Sequence, residues 1–108
     1  MNLPTEVFGD VVVIHTPEEI SCDNSKELAD CLSRLDKVKV ILDLDGTETI
    51  DSAGLTVLLD VQDQLREDGG DLKIMTSNSV NRKIFEITRL DQQLEVFPNV
   101  IDAVKSFI

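Results

Sequence analysis

The stretch Ile41-Leu42-Asp43-Leu44-Asp45-Gly46-Thr47-Glu48-Thr49-Ile50-Asp51-Ser52-Ala53-Gly54-Leu55 contains a change of hydrophobic period and most of the unusual chemistry of the chain. On its upstream side Val38, Val40, Ile41, Leu42 and Leu44 make an apolar run short enough for a buried strand. Downstream, Leu55, Leu58, Leu59, Gln62 and Leu65 recur at the 3.6-residue period of a helix starting near Ser52, and Val57 and Val61 widen its apolar stripe. Asp45 to Asp51, between them, predict a loop. In open α/β sheets the working sites lie where strands end and loops begin, which places this loop first among candidates.

Working outward, Val11-Val12-Val13-Ile14 is a β-branched run suited to a buried strand. Thr5 to Phe8, joined to it through Gly9-Asp10, reads as its hairpin partner. Asp23 or Asn24 caps a helix with Leu28, Cys31, Leu32 and Leu35 on one face. Glu67-Asp68-Gly69-Gly70 ends the long helix, and Leu72 to Met75 form a third core strand. Ser79 is expected to cap a short helix that buries Val80, Ile84, Phe85 and Ile87. Leu94 to Phe97 give a last strand. Pro98-Asn99 opens a terminal helix with Val100, Ile101, Val104 and Phe107 inward. Strands alternating with helices predict an α/β fold, a small mixed β-sheet with an N-terminal hairpin packed against about four α-helices, in a single domain over 1–108.

Composition narrows the function. The chain has 108 residues, with 21 Asp and Glu against 10 Lys and Arg, a net charge of −11. Nucleic acid and anionic lipid would both be repelled, while a partner with a basic face would suit this surface. There is no Trp or Tyr for base stacking. No apolar run reaches the ~20 residues that span a bilayer. Met1 to Asp10 lacks the pattern of a secretory signal, so a cytoplasmic location is expected. Cys22 and Cys31 read as reduced thiols, since two Cys without clustered His make no metal box. His15, which closes a strand without a nucleophile beside it, reads as structural. No glycine-rich phosphate loop is present, because Gly69-Gly70 lacks the spacing. The expectation is a protein that is not an enzyme and needs no cofactor or metal.

Two resemblances assign the central stretch differently. Asp43-Leu44-Asp45-Gly46-Thr47 resembles the opening motif of haloacid-dehalogenase-type phosphatases. That likeness implies Asp43 as nucleophile and Asp45 as general acid/base in a small Mg-dependent phosphatase. The later acids Asp71, Glu86, Asp91, Glu95 and Asp102 form no acidic pair at the end of an apolar strand to complete a magnesium site.

The other resemblance spans nearly the whole chain. The opening hairpin, Glu18-Glu19-Ile20, Leu42-Asp43-Leu44, Ile50-Asp51-Ser52-Ala53-Gly54-Leu55, Gly69-Gly70-Asp71-Leu72, Ser79 to Phe85 and Thr88-Arg89-Leu90-Asp91 resemble, in order, the STAS domain family of bacterial anti-sigma factor antagonists. The resemblance implies that Ser52 is a phosphorylation site, with Asp51 the acid beside it and Gly54 a close-packed glycine. It further implies that the unphosphorylated form binds an anti-sigma factor with serine kinase activity, releasing a sigma factor, and that a serine phosphatase restores it. Glu18 and Ser21 stand where many members have Gly and Asp, which bears on partner identity. The expected docking face joins Glu19, Ser21 and Asp23 to Glu48, Asp51, Ser52, Ala53, Gly54 and Thr56, with Asp60 and the start of the Ser79 helix alongside. From residue type alone Ser52 reads as a helix N-cap, and each of these residues as solvated surface. A constitutive STAS interaction or scaffold module, without a phospho-switch, is the alternative within the same fold. A monomer or weak dimer is expected.

Overall fold

The computed structural model describes all 108 residues. In chain order the elements are β1 (Thr5–Phe8), β2 (Val11–His15), β3 (Glu19–Ile20), α1 (Ser25–Ser33), β4 (Lys39–Asp43), β5 (Thr49–Ile50), α2 (Ser52–Glu67), β6 (Asp71–Met75), α3 (Ser79–Ile87), β7 (Val96–Phe97) and α4 (Val100–Lys105), with a 3-10 turn at Leu90–Gln92. The main sheet runs β1-β2-β4-β6-β7, antiparallel between β1 and β2 and parallel thereafter. Gly9 turns the hairpin at φ +64°, a left-handed value that a side chain would resist. The expected mixed α/β sheet with its opening hairpin is what forms.

Register explains why β2 and β4 read as continuous apolar runs. Val12, Val40 and Leu72 stand side by side in one row, and Ile14, Leu42 and Ile74 in the next row on the same face. Leu28 and Leu32 of α1, Leu58, Val61 and Leu65 of α2, and Phe85 of α3 close over these rows. Each fully buried Leu, Ile or Phe there is worth roughly 1.5–3 kcal/mol. The opposite face carries Val11, Val13, Ile41 and Met75 and is covered by Ala103 of α4, with Val100, Val104 and Phe107 half-buried around it. Lys73 is buried on that face. Its ammonium donates to Ser106 Oγ at 2.8 Å and lies 4.3 Å from the Phe107 ring centre, which fastens the end of the chain to the sheet.

Local expectations fail in five places. The segment 45–51 is not all loop, because β5 forms there and pairs in parallel with β3. Asn78 rather than Ser79 caps α3, accepting the Val80 N–H at 2.8 Å. Val80, Ile87 and Ile101 face outward, not into the core. The last strand begins at Val96, and Leu94 is buried outside it. Asn24 occupies the cap position of α1 without bonding a helix N–H, because its Oδ1 accepts the Ser21 N–H at 2.9 Å.

Candidate functional site

Asp51 decides the local geometry. It sits at the N-cap of α2 in an extended conformation, with Oδ1 accepting the Gly54 N–H at 2.9 Å and Oδ2 accepting the Cys22 N–H at 3.0 Å. One carboxylate thus caps the helix and ties it to the turn that leads into α1. The Gly54 N–H first, then that of Cys22, hold the Asp51 carboxyl below its usual range. With the cap taken, Ser52 becomes the first helical residue. Its hydroxyl is exposed and makes no hydrogen bond within the protein, while its carbonyl accepts the Thr56 hydroxyl at 2.9 Å.

Three features hold this helix start against the rest of the fold. Ile20 and Ile50 pair in the short sheet, and Ile20 O accepts the Asp51 N–H at 3.0 Å. Glu18 O accepts the Glu48 N–H at 2.7 Å. Gly54 is buried so close to β3 that a Cβ would stand 2.6 Å from Ile20 Cγ2 and 2.7 Å from Ile20 O. The structure therefore brings together the two loops that sequence alone could only group. Glu19, Asp23, Glu48, Asp51, Ser52 and Thr56 are exposed along this rim, with Ala53 half-buried. Ser21 and Gly54 are buried and shape the rim from beneath; the Ser21 hydroxyl accepts the Asp23 N–H at 3.2 Å. Glu18, Glu19, Asp23 and Glu48 take no part in any ion pair.

A polar knot beneath the rim was not visible in the sequence. The Thr47 hydroxyl donates to the Pro17 carbonyl and shares a hydrogen bond with Thr16. Buried Asn81 donates from Nδ2 to Leu44 O at 3.1 Å and to Thr47 O at 3.0 Å. The one available signal was an Asn four residues before Phe85, on the same helical face.

Asp43 and Asp45 are each engaged by hydrogen bonds within the fold. Asp43 is buried, with Oδ1 accepting the Asp45 N–H at 2.9 Å and Oδ2 lying 3.2 Å from His15 Nδ1. Asp45 accepts the Ser77 N–H at 2.7 Å and the Ser77 hydroxyl at 2.9 Å. His15 bridges Asp43 and Glu6, whose Oε1 lies 2.7 Å from Nε2.

The rim itself has no cavity. A cleft of about 310 Å³ lies at the far end of α2, lined by Leu32, Leu35, Val38, Val61 and Leu65 among others, and a smaller one sits beside Met1 and α1. No helix is long and apolar enough to cross a membrane.

Known proteins share this fold. A Thermotoga maritima protein provisionally described as an anti-sigma factor antagonist is 23% identical over 106 residues, covering 94% of each chain. The crystal structure of an anti-sigma factor antagonist from Mycobacterium paratuberculosis superposes with a TM-score of 0.84 at 20% identity, over 97% of this chain and 92% of that one. The Bacillus cell fate determinant SpoIIAA, solved in its phosphorylated form, gives a TM-score of 0.71 at 17% identity, over 99% of this chain and all of its own. The STAS domain family pattern matches residues 2–103, a span that takes in the hairpin, the parallel strands and the Asp51-capped helix start, so the chain belongs to the STAS domain family.

Proposed function

We propose that this STAS domain is a phospho-switched anti-sigma factor antagonist. Its unphosphorylated form binds an anti-sigma factor that is also a serine kinase, and phosphate on Ser52 ends that complex. A serine phosphatase resets the domain in the cytoplasm. The observation that carries this reading is the Ser52 hydroxyl itself, exposed and unbonded because Asp51 has taken the capping role. A hydroxyl used as a cap would be engaged with backbone N–H groups and poorly placed for transfer. The free one at the first helical position can be reached by a kinase. The names carried by relatives in the same family support the choice of partner.

The docking surface is the rim formed by Glu19, Asp23, Glu48, Asp51, Ser52, Ala53 and Thr56, backed by Ser21 and Gly54. A charge of about −1.5 to −2 pressed into such a contact costs several kcal/mol, and each 1.4 kcal/mol is tenfold in affinity. Incubation with the kinase encoded nearest to this protein and ATP, read by intact mass, is expected to add one phosphate. That phosphate is absent from Ser52→Ala. Ser52→Asp is expected to lose the kinase partner in a pull-down at least tenfold. Incorporation that persists in Ser52→Ala refutes the site. Binding unaffected by Ser52→Asp refutes the switch and leaves a constitutive interaction module.

A further inference from the structure

Helix α3 carries apolar side chains on two sides. Asn81 and Phe85 are buried against the core, yet Val80 and Ile87 are 64% and 72% exposed. Val80, Lys83 and Ile87 fall at i, i+3 and i+7, an exposed stripe about 10.5 Å long with half-buried Ile84 beside it. The same place reverses the sign of the molecule. Residues 79–92 hold Arg82, Lys83 and Arg89 against Glu86 and Asp91, in a chain of net charge −11, and none of the three cations is in an ion pair. Arg89 adds an independent backbone observation. It is the one non-glycine residue with positive φ, at φ 60° and ψ 18°, directly after the C-cap of α3. Glycine is the usual residue in that conformation, and a cation stands there against backbone preference.

We propose that the outer face of α3, through Val80, Lys83 and Ile87 with Arg89 at its end, is a second docking surface that receives an acid-rich amphipathic helix of a partner protein. Val80 and Ile87, two turns apart, match apolar residues at i and i+7 of such a helix, while Lys83 and Arg89 meet its carboxylates. A second copy of this chain is the poorer occupant, because two bodies of charge −11 repel. The surface is independent of Ser52 chemistry but physically joined to the rim. Asn81, beside Val80, bonds the carbonyls of Leu44 and Thr47, so the first turn of α3 is fixed to the segment leading to Ser52.

The test is an NMR titration of the full ¹⁵N-labelled chain with a synthetic helical peptide of about 18 residues, Leu at i, i+3, i+4 and i+7, Glu at a few positions flanking that stripe, and Ala and Gln elsewhere. A second peptide has Lys in place of every Glu. Saturable shifts at Val80, Lys83 and Ile87 are expected with the Glu peptide only. Ile87→Asp and Lys83→Glu are each expected to weaken binding about tenfold, and Ser52→Asp to leave it unchanged. Arg89→Gly separates the roles of that residue: it should raise the urea midpoint yet weaken binding by about threefold. Equal or tighter binding of the Lys peptide at α3, shifts confined to other surfaces, or Arg89→Gly binding as well as wild type overturns the proposal. Shifts at α3 that grow with protein concentration alone, without peptide, assign the face to self-association and overturn it too.

Discussion

Asp51 accepts backbone N–H groups from two segments, and this double role makes its protonation state visible in stability. Its folded-state pKa is depressed below the ordinary value near 3.8, through the Gly54 N–H and then that of Cys22. A depressed carboxyl contributes fully above the unfolded value and loses that contribution as pH falls through the folded one. Asp51→Asn keeps one acceptor oxygen but turns an amide N–H toward the Cys22 N–H. Urea midpoints of wild type and Asp51→Asn should therefore differ by a constant amount from pH 7 to about 5, wild type being the more stable, and converge below about 3.8. Asp10, whose carboxyl is also lowered by its bond to Lys39, is common to both proteins and cancels in the comparison. A gap that stays constant to about pH 2 would show that the carboxylate charge has no part in the cap. The sequence names Ser52 alone as the cap of α2, whereas the structure seats Asp51 there. Residue type ranks them nearly equal, and the choice falls to Asp51 because only its second oxygen meets the Cys22 N–H on another loop.

At the scale of elements, Gly54 gives a prediction in which two rules differ in sign. Helix propensity says that Gly54→Ala in α2 should stabilise by up to ~1 kcal/mol. Contact with β3 says the reverse, because the new Cβ would stand 2.7 Å from the Ile20 carbonyl oxygen, a backbone atom that cannot rotate away. Overpacking of this kind costs about 1–3 kcal/mol, so Gly54→Ala is expected to lower the unfolding free energy by that order, measured in urea. An increase would mean that the first turn of α2 does not rest on β3. The same contrast explains what could be read in advance. The hairpin, β4, α2 and β6 are legible because their apolar residues follow a period along the chain. β3 and β5 are not, since two residues carry no period and their pairing joins distant segments. The inward face of α3 was misread because Val80 and Ile87 look like core residues locally. Asn81 turns the helix instead, since its buried amide finds the Leu44 and Thr47 carbonyls. The rim suffered the same limit: its two loops were identifiable, but the knot of Thr16, Thr47 and Asn81 beneath them exists only once the chain is folded.

For the whole molecule the question is whether phosphate on Ser52 would act by reshaping the fold or by altering one surface. The start of α2 is held by the Asp51 cap, by Gly54 against Ile20, and by the β3–β5 pair, none of which involves the Ser52 hydroxyl. A phosphate at the first helical position gains about 0.3–1 kcal/mol from the helix dipole. Asp51 beside it and Glu48 on the same rim oppose that gain by repulsion, in a body already at −11. The two effects nearly cancel, so the net change in stability should stay under about 1 kcal/mol, which for a domain of this size keeps the melting midpoint within about 4–8 °C. Affinity for the kinase partner should fall by far more, about a hundredfold or greater, because the charge is desolvated only when the rim is covered. Phosphorylated protein is therefore expected to give an amide spectrum with shifts confined to Glu18–Asp23 and Glu48–Thr56, and unchanged hydrogen-exchange protection in β2, β4 and β6. The far cleft and the Lys73 clasp on α4 should not respond. Loss of protection in the central strands, or a melting midpoint lowered beyond that range, would mean that the switch works through the core, and the rim would then be only where the change begins.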